Sequence, residues 1–213
     1  MQKDPLNQVG NVPFPTVVLT SLYPKTKQIN DKARYLEREG RIIRLKRGLY
    51  VRSAEDGAMP TPLLIANHIY GPSYVSFQTA LRHYGLVPER VYEVQSMTTK
   101  HSRSFDTPLG RFSYRCSSVD YFPIGIRQER VGDDNYLVAA PEKALCDILL
   151  KTAGLSLSNN RKMESYLTED LRLDMDALKD FNMELLELCR QKAQAKAEMI
   201  TYLINVVKDA RLV

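Results

Sequence analysis

Cysteine is scarce in this chain, with Cys116, Cys146 and Cys189 the three among 213 residues and no CxxC among them. An odd number of widely spaced thiols without CxxC offers no structural zinc spacing and is best read as reduced, partly buried thiols of a cytosolic protein. Histidine is equally sparse, and neither His68, His83 nor His101 has a ligand partner three or four residues further on. No apolar run approaches the roughly 20 residues that cross a bilayer. The opening stretch MQKDPLNQVGNVPFP lacks the apolar segment of a secretory signal, so a cytoplasmic protein without membrane contact is expected. GxxxxGK(S/T), GxGxxG and GxSxG are all missing, which removes the phosphate-cradling loops and the hydrolase elbow. No repeat and no low-complexity tract is present.

What the chain does have is positive charge in one place. The formal net charge is +5, yet residues 25–52 alone hold ten Lys or Arg against Asp31, Glu37 and Glu39. Residues 151–213 sum to zero. The basic segment has a pattern. From Thr26 to Glu39, Ile29, Ala33 and Leu36 recur at i, i+4 and i+7, one face of a helix. The opposite face carries Lys27, Arg34 and Arg38, flanked by Asn30 and Tyr35, and Gly40 suits a left-handed stop. Gly40 to Arg52, GRIIRLKRGLYVR, then reads as a hairpin: Ile42-Ile43 and Leu49-Tyr50-Val51 are β-prone, and Gly48 supplies the positive φ of a tight turn. A basic helix joined to a basic hairpin is the outline of a winged helix, which neutralises phosphates while its helix enters a major groove. The alternative is a solvated helix and an edge hairpin guarded by Lys and Arg.

The expected fold class is α+β: an N-terminal winged helix-turn-helix over 1–53, then a second domain over 60–213 whose part from about 156 is helical. A short helix is expected at Thr16 to Leu22, and Ser53 to Pro60 reads as a linker. Helices are expected after Pro62, after a Ser76 cap and from Pro141. Val91 to Thr98, Arg111 to Cys116, Tyr121 to Ile124, Ile126 to Val131 and Tyr136 to Val138 read as strands, with Lys100 to Ser104 a polar loop. This order suits a small sheet covered by helices. In the last zone Asp174 caps a helix holding Leu178; Leu185, Leu188 and Cys189 mark another, and Met199, Leu203, Val206 and Val207 the last.

Catalysis has one candidate region. Asp133, Asp134, Glu142, Lys143 and Asp147 are the residue types with which a metal-dependent nuclease holds Mg²⁺ and activates water. Turn propensity and the helix dipole account for the same residues without chemistry. The expectation is therefore no catalytic residue, no metal and no cofactor. A module whose basic face binds an acidic protein or RNA is a third alternative.

The order LKRGLYV at 45–51, SYVSFQTALRHYGLVPE at 73–89, RFSYR at 111–115 and AAPEKALCDILL at 139–150 resembles AbiEi-type antitoxins of bacterial type IV toxin–antitoxin systems. The resemblance spans most of residues 16–150. It implies a winged helix-turn-helix that represses the antitoxin–toxin operon and a following domain that counters a nucleotidyltransferase-like toxin, without a stable toxin complex being required. It implies no enzyme activity. Carried over by position, Lys27, Asn30, Arg34 and Arg38 fall on the recognition helix, and Arg44, Lys46, Arg47 and Arg52 on the wing. Arg and Lys of the wing suit phosphates, whereas Asn30 and Arg34 suit base edges. The expected partner is double-stranded DNA of the chain's own promoter, bound as a homodimer or in pairs on repeated half-sites.

Overall fold

The structure is a computed structural model and describes residues 4–54, 59–88 and 92–212. Its class is α+β. Helix α1 (Thr16–Leu22) and helix α2 (Ile29–Arg38) precede a hairpin of β2 (Ile42–Lys46) and β3 (Leu49–Arg52), to which β1 (Phe14–Pro15) adds a third strand in the order β1-β3-β2. Thr26 to Gln28 stays outside α2; the Thr26 N–H closes a turn onto the Tyr23 carbonyl instead. α2 ends as its glycine demands. Gly40 has φ +68°, and the Arg41 N–H reaches back to the Leu36 carbonyl at 2.9 Å, the pairing that satisfies a helix C-terminus.

Two apolar cores follow from the alternation along the hairpin. Ile42 and Tyr50 face a small core with Leu6, Phe14, Leu19, Ala33 and Leu36. Leu45, Leu49 and Val51 belong to the larger core of the rest of the chain. The proposed boundary at residues 53–60 therefore does not separate two independent cores, because the hairpin is buried on both faces. Residues 55–58 of the expected linker lie outside the described residues.

The larger unit is built on a six-stranded mixed sheet. Its strands are β4 (Ser73–Val75), β5 (Glu93–Thr98), β6 (Arg103–Thr107), β7 (Gly110–Cys116), β8 (Ile126–Val131) and β9 (Asp134–Ala139), in the order β6-β7-β5-β4-β9-β8. β5 with β7 and β4 with β9 run parallel; the other neighbours are antiparallel. Cross-strand partners share a face, so Val75, Ser96 and Tyr114 point together. Tyr114 donates to the Ala66 carbonyl of α3 (Pro62–Ile69), which covers that side. Tyr74, on the other side, donates to Asp147 of α5 (Pro141–Lys151). α4 (Phe77–His83) packs beside α5, and α6 (Asn160–Ser165), α7 (Met183–Lys192) and α8 (Ala197–Ala210) complete the helical C-terminal region.

Several expectations are corrected. Tyr121 to Ile124 is a turn rather than a strand: Pro123 has no N–H for a ladder, and Gly125 follows at φ +62°. Arg103 and Ser104 belong to β6 rather than to a loop, and β1 and β4 carry no sequence signal because two- and three-residue strands are too short to show a period. The Val91 end of the expected β5 lies outside the described residues. Ser76 occupies the N-cap of α4 without making a side-chain cap; its hydroxyl donates to Asp147 Oδ2 at 2.6 Å. Leu188 is 48% exposed, while Leu186 and Cys189 turn inward.

Helix α5 is buried nearly all round, including its charges. Lys143 and Asp147, one turn apart, form an ion pair at 3.4 Å with both side chains fully buried. Tyr74 and Ser76 donate to the Asp147 carboxylate, and Lys143 donates to the Tyr121 carbonyl at 3.1 Å. Burial pulls the Lys143 ammonium below its usual range, against the opposing charge of Asp147.

Candidate nucleic-acid interface

The N-terminal elements enclose a cleft of about 330 Å³ between α2 and the hairpin. α2 contributes Asn30, Arg34 and Glu37, which stand at i, i+4 and i+7 on its exposed face. The hairpin contributes Arg44, Arg47, Gly48 and Tyr50, and the start of α1 contributes Thr16. The turn is held in place from below. Gly48 sits at φ +78° and its carbonyl accepts the Thr16 N–H at 3.1 Å, so Arg47 is presented by a fixed backbone.

Four of the eight expected site residues thus converge on the cleft: Asn30, Arg34, Arg44 and Arg47. Arg34 is 77% exposed and meets Asp31 at 2.9 Å, an exposed pair that a phosphate or a base edge can displace at little cost. Lys27 and Arg38 are exposed outside the cleft lining. Arg38 lies over the Tyr35 ring at 5.7 Å, with Lys32 also against that ring at 4.9 Å. These side chains form a basic shoulder next to the cleft.

Lys46 and Arg52 are placed elsewhere. In an unbroken strand Lys46 would share the face of Arg44. The register instead shifts between them, Arg44 facing Tyr50 and Lys46 facing Leu49, and this bulge re-aims the side chain. Lys46 donates to the Ile69 carbonyl at the end of α3 and lies 5.7 Å from the Phe105 ring. Burial, with Lys100 and Arg103 alongside, lowers its pKa. Arg52 lies on the cleft face of β3 but beneath the N-terminal segment. Its guanidinium donates to the Val9 carbonyl and to Asn7 Oδ1, both at 3.1 Å, and the residue is 8% exposed.

That segment is a strap that the sequence did not reveal. Residues Pro5–Gln8 form a turn of 3-10 helix capped by Asp4, with Leu6 fully buried. Burial raises the Asp4 pKa, but the Leu6 N–H and the Arg41 guanidinium outweigh it and hold the carboxyl below its usual range. Arg52→Ala is accordingly expected to cost about 1.5–3 kcal/mol of stability through lost charged hydrogen bonds, read by chemical denaturation. The salt dependence of any nucleic-acid binding should be unchanged.

The alternative catalytic region is dispersed. Asp133 is 95% exposed in a turn beside Arg130, Asp134 accepts the Thr61 N–H, and Glu142 accepts the Asn182 N–H at 2.6 Å. Asp147 is committed to Lys143, Tyr74 and Ser76 in the core. Among the described residues, no three His, Cys, Asp or Glu side chains are grouped to hold a metal ion. Cys146 and Cys189 are buried free thiols and Cys116 is exposed. No described helix is long and apolar enough to cross a membrane.

No protein-family model and no curated protein matches the chain. Among solved structures, the crystal structure of the RV2827C protein from Mycobacterium tuberculosis is similar, with a TM-score of 0.64 at 15% identity, over 95% of this chain and 74% of that one. At that identity the likeness is one of fold.

Proposed function

We propose that the protein is a DNA-binding transcriptional regulator whose N-terminal unit works as a winged helix, with α2 as the recognition helix and the β2–β3 turn as the wing. The observation that carries this reading is the convergence of Asn30, Arg34, Arg44 and Arg47 on one cleft from two different elements. A helix alone, or a guarded edge hairpin, has no reason to aim its cations at a shared concavity. Asn30 and Arg34 are assigned to base edges in the major groove, and Arg44 and Arg47 to flanking phosphates. Lys27 and Arg38 extend the phosphate track.

The resemblance to AbiEi-type antitoxins gives this reader a target, its own antitoxin–toxin promoter, and gives the larger unit the task of countering a nucleotidyltransferase-like toxin. The chain is read as a binding protein rather than a catalyst, acting in the cytoplasm as a homodimer or in pairs on repeated half-sites, since one small module supplies limited specificity.

The test is titration of the duplex upstream of the chain's own gene, and of a scrambled duplex, at several salt concentrations. With about four phosphates neutralised per protomer, the log-log slope should be about −4. Preferential binding to the upstream duplex supports autoregulation. Equal binding to both leaves only a basic surface, and no binding removes the reading.

A further inference from the structure

Glu37 is out of keeping with its surroundings. It lines the cleft together with Arg34, Arg44 and Arg47, one turn beyond Arg34 on the same face of α2. Its carboxylate has no ion pair and no hydrogen bond among the described residues; Arg34 turns to Asp31 instead. A cleft that served phosphates alone would be weakened by it, because a carboxylate and a phosphate a few ångströms apart repel each other and share the same acceptor character.

A carboxylate suits one feature of a duplex, a hydrogen-bond donor at a base edge. In the major groove cytosine presents its N4 amino group alone, whereas adenine flanks its N6 amino group with the N7 acceptor, which a carboxylate meets unfavourably. Guanine presents only the N7 and O6 acceptors, which suit a guanidinium. The three cleft-lining polar residues of α2 therefore form an ordered set: an amide at Asn30, a guanidinium at Arg34 and a carboxylate at Glu37.

We propose that Glu37 is a specificity-determining residue that accepts a hydrogen bond from cytosine N4 in the major groove, at a base step next to the guanine read by Arg34. This rests on the reading of the cleft as a duplex-DNA site. Glu37 has a second effect in the same position. By repelling phosphates it holds down binding to duplexes that offer no cytosine there, so it trades affinity for discrimination.

The experiment is selection from a randomised duplex library by the full chain and by its Glu37→Gln and Glu37→Ala variants, followed by titration of the enriched and scrambled duplexes. The wild type should enrich a motif with a fixed C·G pair. Glu37→Gln should move that position toward adenine, to which a glutamine amide binds bidentately, and Glu37→Ala should relax it, each reducing the preference for cytosine about tenfold. Both variants should bind scrambled DNA more tightly than the wild type does. Glu37 is exposed, and an unchanged melting temperature confirms that the variants are folded. A wild-type motif retained unaltered by both variants overturns the assignment of Glu37 and leaves the DNA-binding reading intact. Failure of the wild type to enrich any sequence overturns both.

Discussion

Combining Arg34→Glu with Arg47→Glu should reduce binding to the upstream duplex by roughly 100- to 1,000-fold, because it removes one base contact and one phosphate contact and places two carboxylates in their stead. The two residues come from different elements, helix α2 and the β2–β3 turn, and meet only in the cleft. Both side chains are solvent-exposed, and Arg34 gives up nothing but an exposed pair with Asp31, so stability should move by no more than about 0.5 kcal/mol. Fluorescence anisotropy against a labelled duplex reads the affinity, and a thermal melt reads the fold. Affinity retained within a factor of about three would sink the cleft as the DNA site, since two charge reversals at a phosphate surface cannot be silent.

The second large effect concerns the core. Asp147→Ala should destabilise the protein by about 3–5 kcal/mol, because it leaves the Lys143 ammonium buried without its counter-charge. The Tyr74 and Ser76 hydroxyls lose their acceptor at the same time. Replacing both partners, as in Lys143→Met with Asp147→Leu, should recover the part of that loss due to the unpaired charge, while the part due to the Tyr74 and Ser76 hydroxyls, about 1–3 kcal/mol each when left unsatisfied, remains. Equilibrium unfolding of the two variants makes the comparison. A loss of under 1 kcal/mol for Asp147→Ala alone would mean that water reaches the pair.

The two experiments probe residues of very different legibility in the sequence. Helix α2 can be read because its apolar residues keep a 3.6 period, and the hairpin because two β-prone runs, Ile42-Ile43 and Leu49-Tyr50-Val51, flank a turn, with glycine where φ turns positive at Gly40 and Gly48. Arg34, Arg44 and Arg47 were visible as charge on those elements. Lys46 lies away from the cleft for a local reason: one shifted residue in the β2–β3 register reverses the side to which a strand residue points, and nothing in LKRG announces the shift. Arg52 lies beneath the N-terminal strap for a distant reason, since its partners Asn7 and Val9 are more than forty residues away.

The helical pattern of α5 was legible, yet its charged positions were not. Lys143 and Asp147 stand at i and i+4, the spacing of an ordinary surface pair, and it is the packing of α5 against the sheet and against α4, α7 and α8 that buries them. In the sequence Glu37 stands as one of the three opposing charges of the basic segment. Positions 30, 34 and 37 share a helical face, so its place beside Asn30 and Arg34 is legible, but its sign conceals it within a basic segment.

The β2–β3 hairpin acts mechanically as a party wall. Ile42 and Tyr50 lean on one side of it and Leu45, Leu49 and Val51 on the other, so the small core beneath the cleft shares a wall with the larger one. A reading head on a flexible tether can swivel to accommodate half-sites at varied spacing. Arg44 and Arg47 instead stand on a wall packed into both cores, so under the proposed reading the pitch at which two copies meet a duplex follows from the whole body of the protein.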